Sequence, residues 1–318
     1  MCKTVSFIMD VNGKMYYFDF AERKTLCKKN PKNYSPDSHT SICDHFNLNE
    51  DKMDKYEVNF RTMKVVVDVE NTKYSDANRK ILQSFIDKQD YEFWIAMIQN
   101  SHKINLSENI ADWMLTDGGL VLPNATEVDC SNNQLTGLSV PSATHVDCSN
   151  NRLTSLSVPN AIHVCCSSNQ LTSLSVPNAI HVNCSNNRLT SLSVPNATRV
   201  YCSNNRLTSL SVPSAAEVDC SNNQLTSLSV PNAIHVCCSN NQLTSLSVPN
   251  ATRVDCSNNR LTSLSVPNAT HVYCSNNQLT SLSVPSAAEV CCSNNQLTSL
   301  SVPNAIHVYC SNNPDLKR

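Results

Sequence analysis

The stretch that decides the fold is residues 159–176, which read PNAIHVCCSSNQLTSLSV. The same 18-residue unit is written eleven times between Asn124 and Asn313, and Pro177 opens the next copy. Repetition at a short, fixed period indicates a solenoid, because one unit cannot bury its apolar side alone. The repeat region therefore predicts a stack of equivalent coils.

Apolar residues alternate with other residues in two parts of each unit. Val164 and Cys166 recur with the two-residue period of a short strand. Leu174 and Val176 alternate with serines in the same way, and the proline that follows leaves no room for a helix. Stacked copies place each strand parallel to its predecessor, about 4.8 Å away. We expect a mainly β fold, a right-handed parallel β-solenoid rod without helices, preceded by a small α+β domain.

One asparagine recurs without exception, at Asn169 and its equivalents. A buried asparagine has two N–H donors and one carbonyl acceptor, so it can satisfy the backbone groups left over where a strand turns a corner. We therefore predict a structural asparagine ladder and no catalytic residue among these asparagines.

A cysteine returns every eighteenth residue from Cys130 to Cys310. These eleven cysteines are predicted to point inward as small apolar side chains, and an odd number of equivalent positions cannot pair uniformly. Cys165, Cys237 and Cys291 are predicted to face outward, too far apart to form disulfides with each other. Free thiols, together with an N-terminus unlike a signal peptide, predict a cytoplasmic protein.

The repeat resembles a known family. Residues 161–171 fit A-x-x-V-x-C-x-x-N-x-L, which resembles the leucine-rich-repeat consensus L-x-x-L-x-L-x-x-N-x-L. Residues 174–177 resemble the short L-P-x-L-P segment of bacterial effector and viral or phage leucine-rich-repeat proteins. The 18-residue unit is shorter than the usual one of about 20–29 residues. The resemblance implies a non-catalytic protein-interaction module that binds its partner through the parallel strands, and near-identical copies suggest a viral or bacterial origin.

The residues at the outward positions on either side of the strand valine vary from copy to copy, whereas the residues predicted to be buried barely change. Histidine, tyrosine, arginine and aspartate at these positions suit protein recognition, although drift at unconstrained surface positions explains the variation equally well. The predicted binding residues on this strand face are His145, His163, His181, Arg199, Tyr201, Asp219, His235, Arg253, Asp255, His271, Tyr273, His307 and Tyr309.

Other ligands are less well supported. The stacked imidazoles of His145, His163 and His181 could bridge a metal, but exposed histidines in a row are more often merely tolerated, so we expect no metal and no cofactor. Acidic and basic residues balance across the repeats, which argues against a nucleic-acid partner. No apolar run is long enough to span a membrane.

Two alternative functions remain open. Columns of hydroxyl groups on the return path, such as Thr172 and Thr190 or Ser175 and Ser193, resemble the ice-binding surfaces of some antifreeze proteins or belong to a purely structural rod. In the third alternative, Cys2 becomes the N-terminal nucleophile of an amidohydrolase after removal of the initiator methionine. The glycine-rich neighbourhood expected for such an enzyme is missing.

The composition changes sharply near residue 120, which predicts a capping domain at residues 1–118 and a solenoid at residues 119–318. Strands are predicted at 4–9 and 14–20 around an Asn-Gly turn, with further strands at 56–60 and 63–70. Helices are predicted at 75–87 and 91–98, and a last helix near 111–115 is expected to seal the first coil.

At the other end of the rod, the strand at residues 307–310 keeps an unpaired edge. Unpaired strand edges are templates for pairing with another chain. We therefore predict an end-to-end homodimer.

Overall fold

The computed structural model describes residues 6–9, 14–17, 42, 46, 54–67 and 76–316. Cys2 and the predicted Asn-Gly turn lie outside the described residues. The chain folds as two compact units, Met1–Asn160 and Ala161–Arg318.

The first unit begins with a four-stranded antiparallel sheet. Its strands are β1 (Ser6–Met9), β2 (Met15–Tyr16), β3 (Asp54–Asn59) and β4 (Lys64–Val67), in the spatial order β2-β1-β3-β4. β1 and β2 are antiparallel neighbours, as expected of the two arms of the predicted hairpin.

Two helices follow this sheet, α1 (Asp76–Ile86) and α2 (Tyr91–Gln99). Trp94 of α2 is fully buried, and its ring centroid lies 6.3 Å from that of Phe7 in β1, in an edge-to-face arrangement. Such aromatic pairs stabilise a core beyond the effect of buried area alone. The expected small α+β region is confirmed.

A coil that the fixed period does not reveal precedes the eleven repeats. Its strand β5 (Lys103–Asn105) pairs in parallel with the strand Glu127–Asp129 of the first repeat. Glu108 has a left-handed φ of 58°, as Asn132 has at 56° in the first repeat. Equivalent strand residues are 24 positions apart here and 18 apart in the repeats, and this longer spacing conceals the coil from a search for a fixed period.

The additional residues of this coil form a one-turn 3-10 helix, Asp112–Met114, and a hairpin of β6 (Leu115–Thr116) and β7 (Gly119–Val121). The helix is shorter than the sealing helix that the sequence predicts, because the hairpin follows at once. Gly119 has a φ of 97°, and a Cβ atom there would lie 2.1 Å from the carbonyl oxygen of Gly137. Conversely, a Cβ atom at Gly137 would lie 2.1 Å from the carbonyl oxygen of Gly118, which explains why the first repeat has glycine where the other copies have serine.

Each repeat contributes one three-residue front strand, in which a valine that is buried in every copy but the last lies between two outward residues. The first unit contains Glu127–Asp129 and His145–Asp147, paired in parallel. The front strands of the second unit are His163–Cys165, His181–Asn183, Arg199–Tyr201, Glu217–Asp219, His235–Cys237, Arg253–Asp255, His271–Tyr273, Glu289–Cys291 and His307–Tyr309. Each residue lies opposite its counterpart 18 positions along the chain.

Return strands form the other extended part of the coils. In the first unit Leu138–Ser139 pairs with β7. Those of the second unit are Ser173–Ser175, Ser191–Ser193, Ser209–Ser211, Ser227–Ser229, Ser245–Ser247, Ser263–Ser265, Ser281–Ser283 and Ser299–Ser301. They are hydrogen-bonded two by two, and the central leucine is buried in the first strand of each pair and half-buried in the second.

The same side chains fill the interior of each coil. In the copy at residues 159–176, Ala161, Val164, Cys166, Leu171 and Val176 are each at most 1% exposed. Burying a valine or leucine side chain stabilises a protein by about 1.5–3 kcal/mol. Residues 124–313, all of which the structure describes, contain no helix. The predicted parallel β-solenoid is confirmed.

The recurring asparagine closes the corner after each front strand. The Oδ1 atom of Asn223 accepts a hydrogen bond from the N–H of Leu207 at 3.0 Å. Its Nδ2 atom donates to the carbonyl oxygens of Cys202, Cys220 and Ser221 at 3.0, 3.1 and 3.3 Å. Because Leu207 and Cys202 belong to the preceding coil, each amide joins two coils.

The turn between β3 and β4 completes this asparagine ladder at its N-terminal end. Asn109 Oδ1 accepts a hydrogen bond from the N–H of Phe60 at 2.8 Å. Asn133 Oδ1 accepts hydrogen bonds from the N–H of Ile110 at 3.2 Å and from the guanidinium of Arg61 at 3.0 Å. The α+β region thus satisfies acceptors that another repeat would otherwise satisfy.

The recurring cysteines form a second internal column. All of them are fully buried except Cys310, which is half-buried, and the fourteen cysteines in the described part of the chain are free thiols. Burial raises the pKa of the Cys202 thiol to about 12 and raises that of Cys220 well above its ordinary value. The inward, unpaired cysteines that the sequence predicts are confirmed for the described residues.

Replacement of Asn223 by alanine tests the asparagine ladder. Because the substitution leaves the Leu207 N–H and the Cys202 carbonyl buried without a partner, we expect the free energy of unfolding to fall by about 3 kcal/mol or more. Asn232→Ala is the matched control, since Asn232 is exposed and donates one hydrogen bond, to Pro213. Urea unfolding followed by circular dichroism measures both, and equal losses would contradict the structural role.

The thiol column predicts a loss of stability at alkaline pH. Unfolded thiols ionise near pH 9, whereas the folded chain retains their protons to higher pH, to about 12 for Cys202. The stabilisation is therefore complete below about pH 9 and is lost as the pH rises through the folded pKa values, by up to about 1.4 kcal/mol per pH unit and thiol.

Urea midpoints measured between about pH 8 and pH 10.5 check this expectation. Cys220→Ala removes one buried thiol and is expected to make the decline shallower. Cys165→Ala, at an exposed position, is expected to leave the slope unchanged. A midpoint that does not depend on pH would show that the column is not protonated as described.

Candidate functional site

The thirteen predicted binding residues all flank the central valine of a front strand. His145 belongs to the first unit and the other twelve to the second. The exposed members are His145, Arg199, His235, Arg253, His307 and Tyr309, and the half-buried members are His163, His181, Tyr201, Asp219, Asp255, His271 and Tyr273. Because the strands are parallel and in register, the members in the second unit form two adjacent columns on one face of that unit.

A three-residue cluster occupies the middle of this strand face. The Tyr201 hydroxyl donates a hydrogen bond to Glu217 Oε1 at 2.7 Å. The other carboxylate oxygen of Glu217 lies 3.5 Å from Nε of Arg199. The hydrogen bond to Glu217 and partial burial raise the pKa of the Tyr201 phenol above its ordinary value. The cluster thus holds an aromatic ring and an arginine in fixed positions on the surface.

A second cluster with related chemistry lies further along the same face. The guanidinium of Arg253 is 5.6 Å from the centroid of the Tyr273 ring, within the range of a cation–π contact. Partial burial and the nearby carboxylate of Glu289 raise the pKa of the Tyr273 phenol. A tyrosine beside a glutamate of the next coil therefore recurs in the second cluster.

The recurrence extends to other variable positions. Serine follows the repeat proline only at Ser142, Ser214 and Ser286, which are four copies apart. Ile-His precedes the strand valine at residues 162–163, 180–181, 234–235 and 306–307, and three of these four occurrences are four copies apart. At about 4.8 Å per coil, four coils correspond to about 19 Å. Comparing copies four apart, rather than neighbouring copies, would have revealed this pattern in the sequence.

The structure of the repeats was compared with solved structures. The functional domain of InlJ from Listeria monocytogenes, which includes a cysteine ladder, is similar at 24% identity with a TM-score of 0.52, over 62% of this chain and 51% of that domain. YopM, a leucine-rich effector protein from Yersinia pestis, is similar at 23% identity with a TM-score of 0.43, over 65% of this chain and 59% of that one. The leucine-rich-repeat protein LIC12759 of Leptospira interrogans is 18% identical with a TM-score of 0.45, over 66% and 73% of the two chains.

The repeats have the leucine-rich-repeat fold. The in-register front strands, the buried positions of the consensus and the corner asparagine establish it together with the similarity to the InlJ domain. The chain spans about half the length of that domain and under two thirds of YopM.

Comparison of the sequence with protein families gives a match to a family other than the leucine-rich repeats. The family described as testicular haploid expressed repeat (THEG) matches residues 157–214, 193–268, 228–286 and 246–304. These segments overlap, as expected when a near-identical unit recurs, and together they cover under half of the chain. No curated protein matches the sequence.

Two of the predicted binding residues have a local structural role. Asp219 Oδ1 accepts a hydrogen bond from the N–H of Ser221 at 3.1 Å, and Asp255 Oδ1 accepts one from Ser257 at 3.0 Å. This bond ends the front strand, because the side chain takes the place of a backbone acceptor two residues before the donor.

Two residues of the predicted histidine column, His163 and His181, belong to the second unit. The rings of His163 and His181 lie edge to face with centroids 4.6 Å apart. Among the described residues, no group of three or more histidine, cysteine, aspartate or glutamate side chains is arranged to hold a metal ion.

Three exposed isoleucines beside the strand face did not emerge from the sequence reasoning. Ile180, Ile234 and Ile306 precede the outward histidines and are 41%, 46% and 77% exposed. An isoleucine that stays exposed next to arginine and tyrosine contributes apolar contact area to a binding surface. Its sequence signal is the Ile/Thr/Ala variation two positions before the strand valine.

The hydroxyl columns of the return strands are exposed but not uniform. Thr190 Oγ1 donates a hydrogen bond to the Thr172 carbonyl at 3.3 Å, and Thr226 donates likewise to Thr208 at 3.2 Å. These bonds lie within the hydrogen-bonded pairs of return strands. The hydroxyl groups thus form short blocks rather than one continuous array, and the ice-binding alternative stays a prediction.

None of the helices in the part of the chain that the structure describes is long and apolar enough to cross a membrane.

Proposed function

We propose that the chain is a non-catalytic protein-binding module and that the front strands of the second unit form its binding surface. One observation carries the proposal: the buried positions of the copies are nearly invariant, whereas the outward positions beside the strand valine differ from copy to copy. Tyrosine and arginine, which occur at these positions, are together with tryptophan the side chains most enriched among residues that dominate binding energy.

The two clusters define where a partner would gain most contact. Arg199 and Tyr201 form one centre with exposed Ile180 beside them, and Arg253 and Tyr273 form the second with exposed Ile234. Each combines aromatic, cationic and aliphatic surface, which suits a protein partner better than a small polar ligand. The recurrence after four coils suggests a partner that extends along the sheet and contacts both centres.

We further propose that residues 1–118 are a capping domain for a solenoid at residues 119–318. The hydrogen bonds from Phe60 and Arg61 to the asparagine ladder support this assignment. The free thiols of the described cysteines support the proposed cytoplasmic location. The viral or bacterial origin rests on the near-identity of the copies, and the alternative of Cys2 as a catalytic nucleophile stays a prediction.

The homodimer is the second proposal about partners. The strand His307–Tyr309 is at the edge of its sheet, and Ile306, Val308 and Tyr309 are 77%, 37% and 56% exposed. Pairing of this edge with that of a second copy would bury these side chains. We expect a dimeric mass by light scattering and a monomeric mass for Val308→Lys; a wild-type monomer at all concentrations would contradict the homodimer.

Substitutions on the two faces test the binding surface. We expect Tyr201→Ala and Tyr273→Ala each to weaken capture of the partner by about tenfold or more, and the double variant to abolish it, because each removes an aromatic contact at a cluster centre. Ser211→Ala and Ser283→Ala, on return strands of the same unit, are the matched controls.

Quantitative affinity capture from the native host, with mass spectrometry, compares these variants. Proteins that are lost with the tyrosine variants and retained with the serine variants are the partners. If no captured protein distinguishes the two sets, the strand face is not the binding surface.

A further inference from the structure

The first unit contains an open cleft that the leucine-rich-repeat fold does not require. Its volume is about 570 Å³, and it lies where the hairpin-bearing coil meets the first repeat. This volume is within the range of about 300–1,000 Å³ typical of small-molecule sites. Arg61 and Asp112 supply the charged side chains of its lining, and of Ile110, Leu115 and Leu135, which also line it, only Leu115 is exposed.

Arg61 is held in place by two hydrogen bonds. Its Nε donates to the carbonyl oxygen of Ile110 at 3.0 Å, and one terminal nitrogen donates to Asn133 Oδ1 at 3.0 Å. Capping of the asparagine ladder accounts for these two bonds and leaves the remaining donors of the guanidinium unused. A guanidinium fixed in this way loses little conformational freedom when a carboxylate binds to it.

The two opposite charges of the cleft do not neutralise each other. Among the described residues, Arg61 has no carboxylate within ion-pair distance, and the carboxylate of Asp112 has neither an ionic nor a hydrogen-bonded partner. Both groups nevertheless line the same cleft. A simple anion would be attracted by Arg61 but repelled by Asp112, whereas a ligand with both charges satisfies each of them.

The apolar part of the lining selects the rest of the ligand. Leu115 is 37% exposed, while Leu135 and Ile110 are 1% and 8% exposed. Covering the exposed leucine removes apolar surface from water, which favours an aliphatic ligand. We propose that this cleft binds a zwitterionic ligand with aliphatic side chains, such as a short free peptide, with its carboxylate on Arg61 and its ammonium group on Asp112.

Titration of the full-length chain with L-leucyl-L-leucine, followed by calorimetry, tests this proposal. We expect binding with a dissociation constant of about 1 mM or lower. N-acetyl-leucyl-leucine lacks the ammonium group and leucyl-leucinamide lacks the carboxylate, so each is expected to bind about tenfold more weakly or worse. Equal binding of the three peptides, or no binding of the dipeptide at about 10 mM, would overturn the proposal.

Variants assign each charge to its residue. Asp112→Asn is expected to weaken binding of the free dipeptide and to abolish the preference over its N-acetyl form. Asp117→Asn, an exposed aspartate of the same segment that does not line the cleft, is expected to change neither. Arg61→Gln is expected to abolish the preference over the amide. Because that variant also loses a ladder cap, its melting temperature is compared with that of the wild type, and Asp112→Asn decides the question if Arg61→Gln does not fold.

Discussion

The structure depends on the hydrogen bonds of one buried amide per coil. A coil as short as this one must turn sharply after each front strand, and at each corner backbone N–H and C=O groups point away from the sheet. In water these groups would be solvated, but inside the stack each needs a protein partner. The ladder asparagine supplies one acceptor and two donors in a single side chain, and it reaches both its own coil and the preceding one. No other uncharged side chain except glutamine offers that combination.

The asparagine ladder also explains the division between constant and variable positions. The ladder asparagine and the buried apolar side chains determine the corner and the interior of each coil. The residues beside the strand valine make few contacts within the coil, so their variation costs little stability. Some of these residues nevertheless have a structural role, because aspartate and asparagine at the second outward position accept the hydrogen bond that ends the strand. Tyrosine and arginine do not form this strand-ending hydrogen bond, and for this reason they are the better candidates for binding.

Much of the fold could be predicted because its determinants recur in every copy of one short unit. The inward cysteines, the corner asparagine and the parallel front strands all follow from the period and from the alternation of apolar residues. The coil at β5 could not be recognised in this way, because its hairpin lengthens the spacing between equivalent strand residues. The contact between Tyr201 and Glu217 was also missed, since it joins residues of neighbouring coils whose outward positions were read as two separate columns.

The sequence by itself determined the coil, its buried side chains and the face on which variable residues lie, because these depend on interactions that recur at a short, fixed separation. Only the tertiary structure decided which side chains meet across longer separations. It brought Arg61 to Asn133 and placed Asp112 in the same cleft. It also divided identical return strands into pairs with different burial of the same leucine. The contacts of Arg61 and the position of Asp112 arise from packing between segments whose separation along the chain has no period. The return strands of the second unit have identical sequences, so their sequence could not show which of them pair.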